Sequence, residues 1–347
     1  MKKKNKKYRS TVSLGLRIRR FLGMITKRAG LLFLEVTHLC NQRCVGCYTK
    51  AGMEKPDSLT LVEKKSVIKQ AKKMGVRCVS LSGSGEPLLY KNLFELIDYI
   101  RDLGMNVVIF TNGEFISKET AQFLYNRRVH IYFKLYSLDP DVTDKMVGKK
   151  NAYNWVEYSY TYKGNLKHKK IPSGLKYLLD LRKSEKDLPL LSIETLITKM
   201  NLDTIPEAVR FAKETNIESY LETPVFSGRA IDAYSKIALN GDEYRNLYLD
   251  LAKILGEKTL KKNRKSHCGV EANPVVLTNG DIGFCSSRPA NIGNVRNESL
   301  GKLFRKTQLA KRKEDRWLRN NSPASQYFRT CSSRQYYEAK YNLPCDY

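Results

Sequence analysis

Three cysteines within eight residues constrain this chain more than any other feature of its sequence. They have the spacing Cys40-x3-Cys44-x2-Cys47 and directly follow a short apolar run, Leu31–Thr37. Soft thiolates are the ligands that iron–sulfur clusters and zinc prefer. Finger-type zinc sites add a second cysteine or histidine pair about ten to twenty residues later, and no such pair follows here. Because three ligands leave one iron of a cubic cluster open, the spacing favours an iron–sulfur cluster with a vacant coordination position.

Apolar runs alternate with helical patterns over much of the chain. Strands are predicted at Leu31–Thr37, Val76–Leu81, Asn106–Phe110, His130–Tyr136, Leu191–Ile197 and Ser219–Pro224. Helices are predicted at Leu59–Met74, Lys91–Leu103, Ser117–Asn126 and Ile205–Thr215, with a polar helical stretch near Asn151–Tyr162. About six strand–helix units imply a parallel sheet with right-handed crossovers. In such sheets, functional residues gather where strands end.

The pattern changes after about residue 235. Gly241–Leu255 has helical periodicity, and Pro274–Leu277 with Ile282–Cys285 predicts a hairpin, since Asn279-Gly280 suits a tight primed turn. A final helix is predicted near Ser299–Arg305. The tail that follows has two cysteines and little apolar periodicity, so we expect it to need a metal for order.

Polar residues stand at the predicted strand ends. The second strand ends in the turn Ser82–Pro87, whose glycines let a ligand approach the backbone and whose Glu86 offers an acceptor for an ammonium group. The third ends at Thr111-Asn112-Gly113, which serves either as a simple turn or in binding. On the fourth, Lys134 faces either a bound ligand or solvent, and Arg229 after the sixth either holds an anion bidentately or caps the barrel.

These residues resemble the motifs of the radical S-adenosylmethionine (SAM) superfamily. The cysteine spacing, with Asn41 after the first cysteine, is similar to the loop that binds its [4Fe–4S] cluster. Ser84-Gly85-Glu86-Pro87 is similar to the Gly-Gly-Glu-Pro motif that contacts the methionine amino group, with Ser84 replacing the first glycine. Ser137 matches a position used for the SAM ribose. One departure is Gly46, where the family usually has an aromatic residue, with Tyr48 following instead.

The resemblance implies an α/β fold, a partial (β/α)6 TIM-type barrel with a small C-terminal Fe–S domain that contains a β-hairpin. It implies a basic arm over residues 1–29, the barrel over 30–235 and the auxiliary domain over 236–347. It further implies that Cys40, Cys44 and Cys47 hold a [4Fe–4S] cluster that reductively cleaves SAM. The resulting 5′-deoxyadenosyl radical would abstract hydrogen from the substrate.

The C-terminal cysteines carry a second resemblance. Cys268-x11-Gly280-x4-Cys285 and Ile292-Gly293-Asn294-Val295 are similar to the opening of SPASM and twitch extensions, which bind auxiliary clusters. With Cys331 and Cys345, the four cysteines imply one second [4Fe–4S] cluster, while zinc remains the alternative. Cys78 is left over: in an apolar strand it is either a core residue or a hydrogen donor to a substrate radical.

Composition predicts a cytoplasmic protein, with no apolar run long enough to cross a membrane and no signal peptide. Of the formal charge of +27, residues 1–30 supply +11. This charge favours an anionic partner, or is a solvated surface. The basic amphipathic pattern of the arm is compatible with packing on the barrel or with contact to a membrane surface.

The substrate is the least determined part of the sequence-based reading. Because residues 1–30 are too short for a leader-binding domain, the sequence favours a small polar substrate such as a sugar or cyclitol, with a redox, epimerisation or elimination outcome. The alternative is modification of a ribosomal peptide. A rival of another class is an Fe–S or zinc protein that binds nucleic acid. The expected reducing partner is a flavodoxin or ferredoxin.

Overall fold

A computed structural model describes residues 30–182, 189–256, 273–285 and 287–321 of the chain. Six strands run parallel and lie side by side in chain order: β1 (Leu31–Leu34), β2 (Cys78–Leu81), β3 (Asn106–Thr111), β4 (His130–Lys134), β7 (Leu191–Leu196) and β8 (Glu218–Glu222). Each corresponds to a predicted strand. The predicted α/β fold with a partial barrel is confirmed.

Helices connect the strands and bury the apolar side of the sheet. They are α1 (Leu61–Lys73), α2 (Leu93–Asp102), α3 (Lys118–Asn126), α4 (Pro140–Val147), α5 (Ser173–Arg182), α6 (Ile205–Glu214), α7 (Arg229–Asp232), α8 (Tyr234–Ile237) and α9 (Gly241–Leu255). Helix α1 begins at a capping box, in which Thr60 and Glu63 bond each other's backbone N–H groups. Alternate residues of β1, Leu32 and Leu34, are fully buried in one apolar cluster with Ile68 of α1.

The prediction of a helical stretch at Asn151–Tyr162 is wrong. This segment contains β5 (Trp155–Tyr162), which pairs antiparallel with β6 (Asn165–Pro172) in a separate two-stranded sheet. Its aromatic residues recur at every second position, which is the period of a strand. Tyr158 and Tyr160 are buried, and their rings pack edge-on against Phe211 of α6. Side-chain packing on a neighbouring helix therefore favours the strand.

The predicted C-terminal hairpin is present, and it extends the barrel sheet. β9 (Val275–Val276) pairs antiparallel with β10 (Asp281–Cys285) through the turn at Asn279-Gly280, and β10 pairs with β11 (Arg288–Asn294). Gly280 has a φ of +90°, which only glycine adopts readily. β9 also pairs parallel with β1, so one nine-stranded sheet includes both parts.

The last described helix, α10, spans Leu300–Asn321 and is much longer than the predicted Ser299–Arg305. Its first turns pack on the barrel side, where Leu300 and Leu303 are fully buried. The basic arm and the predicted ligands Cys268, Cys331 and Cys345 lie outside the described residues. None of the helices in the described ranges is long and apolar enough to cross a membrane.

Candidate active site

The three clustered cysteines lie on one pocket at the carboxyl ends of the parallel strands. Cys40, Cys44 and Cys47 line it together with Gly85 and Glu86 of the predicted SAM-contacting turn. Strand ends bring these groups together because the loop after β1 and the turn after β2 lie at the same edge of the sheet. The structure thus unites the two motifs that the sequence separates by about 40 residues.

Main-chain hydrogen bonds fix the cysteine loop from two sides. The N–H of Cys40 donates to the carbonyl of Gly52 (3.2 Å), and the N–H groups of Arg43 and Val45 donate to carbonyls at the end of α4 (both 2.9 Å). These bonds satisfy main-chain groups that have no partner from regular secondary structure in a loop. The loop is therefore held in place by main-chain contacts with Gly52 and with the end of α4.

The segment after β8 holds the loop from the other side. Arg229 donates from Nε to the carbonyl of Cys44 and from Nη1 to that of Ala51 (both 3.0 Å), while its backbone N–H donates to the carbonyl of Cys47 (2.8 Å). Ser227 donates from Oγ to the carbonyl of Tyr48 (2.9 Å). Of the two readings left open for Arg229, capping is the one that these contacts support.

Glu86 is buried at the centre of a hydrogen-bond network. Its Oε1 accepts from Thr111 Oγ1 (2.6 Å) and from the N–H of Leu88 (3.0 Å), and its Oε2 accepts from the N–H of Asn112 (2.7 Å). Burial raises the pKa of this carboxyl, although the hydrogen bonds oppose the shift. The Nδ2 of Asn112 also donates to Asn41 Oδ1 (2.9 Å). The Thr-Asn-Gly turn therefore connects the glutamate to the cysteine loop.

The remaining predicted SAM-contacting residues are placed differently. Ser84 is buried and is not part of the pocket wall, and Pro87 begins a short 3-10 turn. A Cβ at Gly85 would lie 2.5 Å from the carbonyl oxygen of Thr37, so this backbone passes the start of the cysteine loop too closely for any side chain. Ser137 is fully buried, its Oγ accepts from the N–H of Asp139 (2.9 Å), and it does not line the pocket.

The three thiols differ in their electrostatic surroundings. Burial raises the pKa of Cys44 to about 12 and also raises that of Cys40. At Cys47 burial acts in the same direction, but hydrogen bonds from Thr49 and the charge of Arg229 outweigh it and lower the pKa. Metal binding requires thiolates, so loading this site releases protons.

The donor set fits a cubic cluster. Among the described residues, no group of three His, Cys, Asp or Glu side chains is arranged around a single ion. A cubic cluster does not need such convergence, because each thiolate binds a different iron. Three sulfurs around one pocket, next to glycine backbone and a buried carboxylate, are the arrangement that such a cluster and a small polar ligand require.

Sequence reasoning missed two carboxylates on the same pocket, Glu194 of β7 and Glu222 of β8. Burial raises the pKa of Glu194 to about 8, although Lys134 opposes the shift. Lys134 also lines the pocket, and Glu194 raises its pKa against the effect of burial. The alternation of side chains along a strand could have revealed both residues, since a glutamate within an apolar strand has to face either a partner or a cavity.

The unusual Gly46 is explained by a contact with β7. A Cβ at this position would lie 2.2 Å from Cδ2 of Leu196, which lines the pocket beside it. Tyr48, two residues later, also lines the pocket and donates its hydroxyl to the carbonyl of Gly83 (3.1 Å). The space of a larger side chain at residue 46 is therefore taken by Leu196.

The two other described cysteines lie apart from the triplet. Cys78 is buried in β2, and burial raises its pKa to about 12, as expected of a core thiol. Cys285 ends β10, half-buried, with Sγ 2.8 Å from Ser287 Oγ.

Comparison with known proteins agrees with this geometry. The family described as "Radical SAM superfamily" matches residues 34–162, which include the triplet, the turn at Glu86 and β2 to β5. This match was expected from the motifs.

Three curated relatives show the range of similar proteins. Fe-coproporphyrin III synthase of Methanosarcina barkeri is 32% identical over 158 residues, 45% of this chain and 38% of that protein. Mycofactocin maturase MftC of Mycolicibacterium smegmatis is 25% identical over 62% of this chain and 49% of its own length. PqqA peptide cyclase of Bradyrhizobium diazoefficiens is 25% identical over 52% and 42%. The chain thus spans half or less of each of these relatives.

Solved structures share the fold. Streptococcus suis SuiB bound to S-adenosylmethionine superposes with a TM-score of 0.60 at 18% identity, covering 87% of this chain and 74% of SuiB. The structure of anSMEcpe with bound AdoMet and the Cp18Cys peptide gives 0.57 at 15%, covering 80% and 81%.

Proposed function

This chain carries a radical SAM domain over residues 34–162, and we propose that it is an enzyme that modifies a peptide by SAM-derived radical chemistry. The observation that carries the proposal is the single pocket lined by Cys40, Cys44, Cys47, Gly85 and Glu86. Among the described residues, the three thiols there have no disulfide partner, and their donor chemistry suits an iron–sulfur cluster.

In this proposal the three cysteines hold a [4Fe–4S] cluster, which together with SAM supplies a hydrogen-abstracting 5′-deoxyadenosyl radical. The backbone at Gly85 lines the pocket, and the absence of a side chain lets this turn lie directly against the carbonyl of Thr37 at the start of the cysteine loop. Glu86 keeps that turn in position through Thr111 and Asn112. For Ser137, a direct role at the ribose would require its fully buried hydroxyl to reach the pocket, which it does not line.

A peptide substrate is better supported than the small polar substrate favoured by the sequence. Similar proteins include PqqA peptide cyclase, whose name states a peptide substrate. Mycofactocin maturase MftC and the antilisterial bacteriocin subtilosin biosynthesis protein AlbA are further relatives, named for the maturation or biosynthesis of a product. The pocket carries several carboxylates, which does not suit an anionic sugar phosphate. A peptide is therefore the substrate class that we propose.

We also propose a second [4Fe–4S] cluster held by Cys268, Cys285, Cys331 and Cys345, in an auxiliary domain over residues 236–347 that follows the barrel of residues 30–235. Of these four cysteines, Cys285 lies within the described residues, where it is half-buried at the end of β10. Such a cluster would exchange an electron with the substrate radical. The reducing partner in this scheme is a flavodoxin or ferredoxin.

Anaerobic reconstitution tests the proposal. We expect about eight irons per chain and release of 5′-deoxyadenosine that depends on dithionite and SAM. Cys44→Ala should abolish the release, whereas the matched control Cys78→Ala, which alters a core thiol, should retain it. Zinc at the triplet, or release that survives Cys44→Ala, would contradict the proposal. About four irons with normal release would exclude the auxiliary cluster alone.

A further inference from the structure

Two carboxylates stand side by side where β7 and β8 line the pocket. Glu194 lies directly across from Lys134 of β4 and from Tyr220 of β8 in the strand register, and Glu222 follows Tyr220 by two residues. Side chains two residues apart share one face of a strand. The carboxyls of Glu194 and Glu222 are within hydrogen-bonding reach of each other, and the hydroxyl of Tyr220 bonds to Glu222.

Glu194 is incompletely satisfied. Its residue is only 8% exposed, and no hydrogen-bond donor among the described residues contacts its Oε2. A buried carboxylate oxygen without a donor is unfavourable. Because this side chain lines the pocket, a ligand in the pocket can supply the missing donor.

The charge of this wall favours a cationic ligand. Lys134 balances one of the two carboxylates. Burial, although Lys134 opposes it, raises the pKa of Glu194 to about 8, so this carboxyl retains a proton near neutral pH. Arg229, the second cation on the pocket, directs Nε and Nη1 to the carbonyls of Cys44 and Ala51 and gives Glu194 Oε2 no hydrogen bond. A cation bound beside the pair would favour the ionised form of Glu194. Charge-assisted hydrogen bonds to carboxylates are the strong ones.

A row of aromatic rings lies next to the pair. Phe110 and Tyr132 stack with ring centroids 4.3 Å apart, and Tyr220 meets Tyr132 edge-on at 5.4 Å. Tyr132 and Tyr220 precede Lys134 and Glu222 by two residues, so they share a face of the sheet with them but lie farther from the carboxyl ends of the strands. None of the three rings is among the residues that line the pocket, and Tyr220 is 40% exposed. The rings therefore lie on the side of the pair away from the cysteines.

We propose that Glu194 and Glu222 bind the cationic head of a lysine or arginine side chain of the substrate within the pocket that they line together with the cysteines. This inference rests on the proposed peptide substrate and names the residue type that the pocket selects. Anchoring the head group in this wall orients the C–H bonds of the same residue or its neighbours within the pocket that the cysteines share.

Binding measurements on the anaerobic holoenzyme with SAM test this inference. The probes are the N-acetyl methylamides of lysine, arginine and norleucine, with binding followed by saturation-transfer NMR. In the wild type, we expect the lysine or arginine probe to bind at least about tenfold more tightly than norleucine. In Glu194→Gln/Glu222→Gln, the preference should fall below about threefold, because the amide groups carry no charge. Lysine and arginine are told apart by their relative affinities.

The matched control is Glu95→Gln/Glu157→Gln, which removes the same charge from side chains that are 58% and 69% exposed and should keep the preference. Equal affinity of norleucine and both cationic probes for the wild type would overturn the inference without need of any variant. So would a pocket variant that weakens SAM binding and keeps the preference, since the pair would then belong to the SAM site. Binding needs no turnover, so a cation preference without 5′-deoxyadenosine release would contradict only the proposed function.

Discussion

The Nε of Arg229 donates a hydrogen bond of 3.0 Å to the carbonyl oxygen of Cys44, 185 residues earlier in the chain. The same guanidinium reaches Ala51, and the backbone N–H of Arg229 reaches Cys47. The cysteine loop after the first strand is thus fixed by the segment after the last parallel strand. Its conformation depends on the completed barrel and not on the loop sequence alone.

Arg229→Met should leave the carbonyl of Ala51 without its side-chain donor, at a cost of about 1–3 kcal/mol if it stays buried. The carbonyl of Cys44 loses one of two donors and keeps the N–H of Cys47 (3.2 Å). Arg229→Lys keeps the charge but has no fork to reach both carbonyls, so we expect an intermediate effect. The measurements are iron retained per chain after gel filtration and the free energy of unfolding. Arg245→Met is the control, because Arg245 is 75% exposed in its side chain. Equal effects at both positions would refute the capping role.

Gly228→Ala should be more harmful than Gly164→Ala, although both glycines have positive φ angles of +58° and +82°. A Cβ at Gly228 would lie 2.5 Å from the carbonyl carbon of Tyr48, whereas nothing lies within 4 Å of one at Gly164. Backbone strain alone costs about 1 kcal/mol or somewhat more at either site. Only Gly228→Ala should also lower the cluster content, measured as absorbance near 400 nm. Similar losses in both variants would argue against a close approach of the two segments.

The parts of the fold that follow local rules were predictable from the sequence. Strand-length apolar runs separated by helical patterns predicted the six parallel strands. Because functional residues gather at the carboxyl ends of such strands, Glu86 was expected near the cysteine loop, where the structure places it. The segment at Trp155–Tyr162 was misassigned because its polar residues were weighed more than the alternation of its aromatics. The pairing of β9 with β1 joins residues more than 200 positions apart, which no local pattern indicates.

In the candidate site, the contacts between residues far apart in the chain could not be predicted from the sequence. Gly46 was recognised as a departure, but its cause is Leu196, 150 residues later. Glu194 and Glu222 lie within two predicted strands, but the proximity of their carboxyls depends on the register of β7 with β8. Ser137, by contrast, was chosen by its strand position, and its side chain is engaged by the backbone of Asp139.

A double-mutant cycle should detect the bond between Asn112 Nδ2 and Asn41 Oδ1, which spans 2.9 Å. Each asparagine also has other partners, so Asn41→Ala and Asn112→Ala alone report more than their mutual contact. The coupling free energy should be about 0.5–1.5 kcal/mol, typical of one partly buried hydrogen bond. It is measured from urea unfolding of the two single variants and the double variant. Additive effects within about 0.3 kcal/mol would show that the two turns are not coupled.

The buried carboxyl of Glu35 should make stability fall as pH rises. Burial is the main cause that raises its pKa from 4.5 to about 7, so between these values the folded chain binds a proton that the unfolded chain has released. The free energy of unfolding then decreases with pH across that window. Glu35→Gln resembles the protonated form, and its stability relative to wild type should grow by at most about 3 kcal/mol between about pH 5 and pH 8.

Thr278→Val is the matched control for this titration. Thr278 donates to Glu35 Oε2 from its backbone N–H (3.1 Å) and from its hydroxyl (3.4 Å), and valine removes only the second donor. The carboxyl remains buried, so the decrease of stability with pH should persist in Thr278→Val and disappear in Glu35→Gln. Unfolding free energies at matched pH values measure both. If the difference between Glu35→Gln and wild type stays constant with pH, Glu35 is ionised in the folded chain throughout, and its unpartnered Oε1 must find a donor or water that stabilises the charge.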